Sequence, residues 1–158
     1  MTFEIRDADE NDINDIADLW YAGWHDAHAS IVPAELVDCR TYASFVERSA
    51  RHLQRTRLAL SGRVISGLCM TRDDELFQLY VAKDARGTGL AQMLIADAEN
   101  NIRNDDHSRA WLACAVGNQR AARFYEGRGW TMSGKEVEEL ETRDGSFPLE
   151  VWRFEKEL

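Results

Sequence analysis

Apolar and polar residues change their period along the chain, and the period assigns the elements. TFEIRDA alternates apolar with polar, as a half-buried strand does. In the next stretch, DENDINDIADLWYAGWHDA, cap-type residues precede Ile13, Ile16, Leu19 and Trp20 at helical spacing, which predicts an amphipathic helix. Pro33 interrupts the chain after SIV. A second helical stretch runs from about Ala34 to Gln54, with Arg40 as the place where it could break. RLALSG and RVISGLCMT read as short strands joined at a glycine-containing hairpin. ELFQLYV is the next strand, with Leu76, Gln78 and Tyr80 on one side and Phe77, Leu79 and Val81 on the other. From Thr88 to Arg103, Leu90, Met93, Leu94, Ala98 and Ile102 fall on one broad helical face. AWLACAV is apolar at nearly every position, as in a strand buried on both faces. Asn118 opens a helix, NQRAARFYEGRG, that Gly129 can close. Two strands follow, roughly Trp130 to Glu141 and Phe147 to Phe154, joined by the turn signal RDGS.

The resulting order is βααβββαβαββ. Helices alternate with strands in the second half and hairpins flank them. This predicts a three-layer α/β/α fold around a mixed sheet, not a doubly wound parallel one. No repeat, low-complexity segment or linker divides the chain, so residues 1–158 read as a single domain.

Composition narrows the function. The chain carries 28 acidic against 19 basic residues, a formal net charge of −9. A nucleic-acid binder neutralises phosphates with Lys and Arg, so none is expected as a partner. A basic membrane-surface role is disfavoured for the same reason, and no apolar stretch has the length of a membrane helix. The balance suits a solubility surface or a cationic acceptor such as an amine. Cys39, Cys69 and Cys114 are an odd number at wide spacing, which is neither a disulfide framework nor a metal motif. With an acidic N-terminus unlike a signal peptide, this predicts a reduced, cytoplasmic protein.

In LYVAKDARGTGLAQ, a strand runs into Gly87 and Gly89 at the start of a helix. Unpaired amides there, with the positive end of the helix dipole, can hold phosphate without net positive charge. The candidate donors are the amides of Arg86, Gly87, Thr88, Gly89, Leu90 and Ala91, with the Arg86 and Lys83 side chains near. Glycine would serve close approach and positive φ. The same glycines equally fit a plain strand-to-helix turn. The stretch is not a P-loop, and Gln92 stands where a dinucleotide fingerprint needs a small residue.

Arg86-Gly87-Thr88-Gly89-Leu90-Ala91 fits the [Q/R]-x-x-G-x-[G/A] signature of the GNAT N-acetyltransferase superfamily. About 30 residues on, ACAVGNQRAARFYEGRGW resembles that family's strand–Asn–helix–Tyr–Gly–aromatic segment, through Asn118, Tyr125, Gly129 and Trp130. The resemblance implies a mixed, splayed central sheet. It implies acetyl-CoA as co-substrate and direct acetyl transfer to a small-molecule or peptide amine in a ternary complex. It implies pantetheine pairing with the main chain of Leu79 and Val81, freed by a bulge near Tyr80. Asn118 would contact pantetheine, or simply cap its helix. Tyr125 would protonate or hydrogen-bond the departing thiolate, or else be a core aromatic with Phe124 packed inward. Glu75 stands where some members carry the base, though in the acidic run DDE it could be merely solvated. Trp24, His25 and His28 fall in the region that forms the acceptor pocket, or else pack between helices. Arg120 and Arg123 fit either CoA phosphates or solvent.

A His-x-x-His pair without further clustered ligands predicts no metal. Cys69 and Cys114 lie in apolar strands and read as core, not nucleophiles. A non-catalytic acyl-CoA-binding module on the same fold is the alternative function, and a dinucleotide-dependent enzyme a second. The family forms monomers and homodimers, and both stay open.

Overall fold

The computed structural model describes residues 2–158. In chain order the elements are β1 (Glu4–Asp7), α1 (Ile13–His28), α2 (Ala34–Cys39), α3 (Tyr42–Arg51), β2 (Thr56–Ser61), β3 (Val64–Arg72), β4 (Glu75–Val81), α4 (Leu90–Asn104), β5 (Arg109–Ala115), α5 (Gln119–Gly127), β6 (Thr131–Thr142) and β7 (Gly145–Glu157). The helical stretch expected over 34–54 is two helices. Arg40 breaks it at φ −93°, ψ 58°, and Thr41 restarts it by accepting from the Ser44 amide at 3.2 Å.

The strands form one mixed seven-stranded sheet in the order β1-β2-β3-β4-β5-β7-β6. Only β4 and β5 run parallel, and they are paired at a single position, Glu75 opposite Trp111. Beyond that vertex the two strands part. The sheet is therefore splayed, with its opening toward the C-terminal end of β4. Cores lie on both faces. On one, Leu90, Leu94, Ile95, Ala98 and Ile102 of α4 pack against Leu112, Trp130 and Phe154. On the other, Ile16 and Trp20 of α1 and Phe45 of α3 pack against Leu58, Leu68 and Met70. These are the three layers that the alternating pattern requires. Met93, expected on the α4 core face, is turned to solvent, and Ile95 fills the place instead.

The facing of β4 departs from simple alternation. Gln78 pairs with Met70, but Leu76 pairs with Thr71, so Phe77 is the extra residue of a bulge. The bulge lies at Phe77 and not near Tyr80. It reverses the alternation: Leu76 joins Leu79 and Val81 on the α4 face, while Phe77 joins Tyr80 on the α1 face. Tyr80 is received there by Gly23 of α1, where a Cβ would stand 2.6 Å from the Tyr80 ring.

Candidate active site

The joint between β4 and α4 is an array of free donors. Gly87 and Gly89 take φ of +76° and +85°, the left-handed region that only glycine adopts without strain. A Cβ at either would meet nothing within 4 Å, so that side of the loop is open. The first bond of α4 runs from the Met93 amide to the Gly89 carbonyl at 3.2 Å. Among the described residues, no main-chain acceptor takes the amides of Gly87 to Gln92. The Arg86 amide instead closes a turn on the Lys83 carbonyl at 3.3 Å, so the free row starts one residue later than expected and ends one later. The Arg86 guanidinium pairs with Asp26 of α1 at 3.0 Å, which ties α1 to the loop. The Thr88 hydroxyl donates to the Ala85 carbonyl and fixes the loop from inside.

The open edge of β4 continues this array. The Ala82 amide donates to the Ser66 carbonyl of β3 at 2.8 Å. Main-chain groups alternate in direction along a strand, so Tyr80 also faces β3 while Leu79 and Val81 face the gap left by β5. Together these groups, Thr88 excepted, line one groove of about 380 Å³, bordered across the gap by Asn118, Arg120 and Tyr125. Asn118 caps α5: its Oδ1 accepts from the Ala121 amide at 3.4 Å, and it lines the groove as well. Arg123 is exposed and does not line it. Tyr125 is held by edge contacts with Phe124 and Trp130, at ring separations of 5.5 and 6.2 Å, and by Phe154 at 6.1 Å. Burial raises its phenol pKa, with Cys114 and Tyr80 adding to the effect, so the hydroxyl stays protonated across the physiological range.

A second cavity, of about 320 Å³, opens on the α1 face of the same strand. Tyr80 lines both spaces. Glu75 lines the second one from the vertex of the splay and is 5% exposed. Arg72 holds its Oε1 with two bonds, of 3.0 and 2.8 Å. Burial nevertheless raises the Glu75 pKa against the pull of Arg72. Glu138 lines the same cavity and is raised by burial too. Trp24 and His28 also line it, and their rings stack at 5.1 Å. His28 Nδ1 lies 2.9 Å from the Trp24 carbonyl, which can only accept, so Nδ1 carries the proton and Nε2 keeps its lone pair. Burial lowers the His28 pKa and keeps the ring neutral. His25 is not part of this wall: its Nε2 is bound to the Arg40 carbonyl at 2.7 Å.

Sequence reasoning missed two residues in this cavity, Arg40 and Arg48, which are 2% and 6% exposed. They read as surface charges because no local signal marks their burial. They meet Glu141 of β6, whose Oε1 accepts from Arg48 Nε at 3.0 Å and from His52 Nε2 at 2.7 Å, while Oε2 accepts from Arg51 at 2.9 Å. Burial opposes the charge of Glu141, but His52 and Arg48 outweigh it and hold the carboxyl well below its usual range.

The chain thus combines a splayed mixed sheet with an amide-lined groove at its opening. The model of the acetyltransferase (GNAT) domain matches residues 35–143. An uncharacterized N-acetyltransferase of Mycobacterium tuberculosis is 31% identical over 110 residues, covering 67% of this chain and 69% of that protein. The chain belongs to the GNAT family and is an acetyltransferase. Solved structures share its fold. A GCN5-related N-acetyltransferase of Rhodopseudomonas palustris superposes with a TM-score of 0.79 at 20% identity, covering 100% of this chain and 97% of that one. The PaiA N-acetyltransferase of Thermoplasma acidophilum, solved in complex with coenzyme A, gives 0.70 at 19% over 100% of both chains. YncA of Salmonella typhimurium, solved with acetyl-CoA, gives 0.68 at 15% over 100% of this chain and 95% of that one.

Proposed function

We propose that this chain, acting as one domain, moves the acetyl group of acetyl-CoA to a primary amine by direct attack in a ternary complex. The observation that carries the reading is the continuity of free main-chain groups, from Leu79 and Val81 on the parted edge of β4 to the amides of Gly87 to Gln92. A diphosphate fits the amide row, with the α4 dipole adding to it, and so an acidic protein can hold a polyanion. The pantetheine arm pairs with Leu79 and Val81 as a strand would, and Asn118 faces it from the α5 cap.

The thioester then lies where the two spaces meet at β4. Main-chain donors at the parted edge polarise its carbonyl as the oxyanion forms. The amine approaches from the cavity on the α1 face. An alkylamine is protonated at neutral pH and must lose that proton to attack. Glu75 is the base: its elevated pKa brings it nearer the working pH, and its Oε2 is not used by Arg72. As the C–N bond forms the C–S bond breaks; Tyr125 serves the leaving thiolate, which takes, through solvent, the proton that the attacking nitrogen sheds. A thiol titrates near pH ~8.5, below a buried phenol, so full proton transfer from Tyr125 is uphill and its role is hydrogen-bond donation in the transition state.

Transfer through a cysteine is disfavoured. Cys114, the thiol nearest Tyr125, is pushed by burial up to about 12 and is a poor nucleophile. Cys69 is likewise pushed to about 12. Free thiols fit a reducing, cytoplasmic setting. The test is calorimetric titration with acetyl-CoA beside CoA release on a panel of amines. Binding with turnover is expected. Tight binding with no turnover on any amine would favour a non-catalytic acyl-CoA module, and no binding would sink the reading.

A further inference from the structure

The cavity on the α1 face has a charge problem that the protein does not solve internally. Arg40 is essentially buried, yet among the described residues no carboxylate pairs with it. Its Nη1 donates to the Glu141 carbonyl oxygen at 2.7 Å, and its Nε has no partner. Arg48 Nη1 is also buried without a partner. The single carboxylate of Glu141 already serves Arg48, Arg51 and His52. Indole faces give partial relief: Arg48 lies 4.3 Å from the Trp20 ring and Arg40 5.9 Å from that of Trp24. Arg40 Nε and Arg48 Nη1 are closed off, whereas, among the described residues, Nη2 of Arg40 and Nη2 of Arg48 are neither bonded nor shut away, and they are the ones left for the cavity. Burial, with Arg48 adding its like charge, lowers the Arg40 pKa to about 10, still cationic at neutral pH.

A buried guanidinium without a counter-ion is costly, and a purely structural clamp at this point would need only one N–H. The carboxylates that face the same cavity do not relieve it. Glu75 is paired through Oε1 with Arg72, Glu139 is exposed and accepts from Ser146, and among the described residues none of Glu75, Glu138 and Glu139 pairs with Arg40 or Arg48. We propose that the cavity receives a carboxylate carried by the acceptor itself, on Arg40 and Arg48, so that the substrate is an amine bearing a carboxylate, of amino-acid type. The planar guanidinium fork matches a carboxylate in shape and charge. Glu75 and Glu138, which line the same cavity, receive the amine, so the cavity offers both signs that a zwitterion needs. A polycationic acceptor would set positive charge against two buried guanidinium groups. This assignment rests on the transferase reading for the reaction, but the anion receptor itself can be tested without turnover.

The experiment compares free amino acids (glycine, methionine, phenylalanine, glutamate) with their carboxamides and with spermidine, by CoA release. In a separate arm, N-acetylated amino acids and their carboxamides are added to the enzyme without CoA, and the melting temperature is read. Acid and amide share a shape and differ in charge. At least one acid should exceed its amide by about tenfold or more in kcat/KM, the loss expected when a buried charge is left unpaired. Its N-acetyl form at roughly ten times Kd should raise the melting temperature by about 3 °C, and the amide should not. Arg40→Met should remove both differences; relief of the buried charge offsets loss of the Nη1 bond to the Glu141 carbonyl, so the variant should melt within a few degrees of wild type. Arg40→Lys keeps the charge and should retain part of the preference, which covers the case in which the methionine variant fails to fold. Equal use of acids and amides, preference for spermidine, or acid selectivity that survives Arg40→Met would overturn the proposal. No CoA release on any amine, with acid-selective stabilisation intact, would remove the transferase reading and leave the anion receptor standing.

Discussion

Gly89 offers a perturbation that separates shape from charge in the amide cradle. It caps α4 in the left-handed region at φ +85°, ψ 3°, and a Cβ there enters open space. Asn and Asp tolerate this conformation better than other residues, so Gly89→Asn and Gly89→Asp should each lose a similar ~1 kcal/mol of stability. Their effects on CoA should differ. Both place a side chain where a diphosphate would approach, and losing one charge-assisted hydrogen bond costs roughly 1.5–3 kcal/mol. Only aspartate adds a repelling charge. Unit charges about 4 Å apart repel by roughly 1 kcal/mol in water and roughly 4 kcal/mol at an effective dielectric of about 20. Gly89 is exposed, so a further ~1–2 kcal/mol is reasonable, and Gly89→Asp should bind CoA about 5- to 30-fold more weakly than Gly89→Asn. The assay is calorimetry with CoA, with urea melts to confirm matched stability. The difference should shrink as salt is raised, because the charges are screened. Equal affinity in the two variants, or wild-type affinity in Gly89→Asp, would mean that the phosphates lie elsewhere.

Tyr125→Phe should lower kcat about 10- to 100-fold, the worth of one hydrogen bond to a developing charge, while CoA affinity changes little; equal turnover would remove the role. Glu75→Gln should lower kcat/KM by about 100-fold and abolish the acidic limb of the pH–rate profile, which in wild type climbs as the carboxylate forms. The stability sign is opposite to that of an ordinary ion pair. The folded pKa of Glu75 is raised, so wild type loses stability as pH rises from the ordinary 4.5 through the elevated value, and Glu75→Gln should not. Glu141 behaves conversely: its folded pKa is depressed, so its contribution is complete above the ordinary 4.5 and fades as pH falls below it. Glu141→Gln, which leaves Arg48 without its carboxylate, should cost about 2–3 kcal/mol at pH 7 and lower the melting temperature by roughly 5–10 °C. Melting curves from pH 3 to 8 on both variants check the two signs.

The geometry of the β4–α4 joint and of the α5 cap was legible because it is local. Positive φ at Gly87 and Gly89, the cap at Asn118 and the left-handed Gly129 are demands of short loops, and short loops write them into adjacent residues. The order of strands and helices was legible for a related reason, since burial on one face imposes a period. The helix break at Arg40 could be placed because the apolar period falters there. The bulge at Phe77 was not legible: no glycine or proline marks it, and the register it resolves is set by β3. That one extra residue moved Leu76 across the sheet and put Phe77 beside Tyr80.

The cavity on the α1 face is illegible for a stronger reason. Its charges are buried by partners far along the chain. Arg48 meets Glu141 across 93 residues, and Arg40 reaches the carbonyl of the same residue across 101. In sequence, an arginine at a helix break and another in an amphipathic helix read as solvated. Only when the β6–β7 hairpin folds over α3 do they become buried cations facing a cavity. A net charge of −9 suits a solubility surface as well as a cationic acceptor, yet the charge a bound molecule meets is the one removed from water. Among the buried charges that line the cavity are Arg40 and Arg48 as well as Glu75. Screening mutes the acidic exterior, whereas a desolvated guanidinium acts at short range in a low dielectric. On the proposal made above, the buried charges of the cavity, not the net charge of the exterior, would select the acceptor.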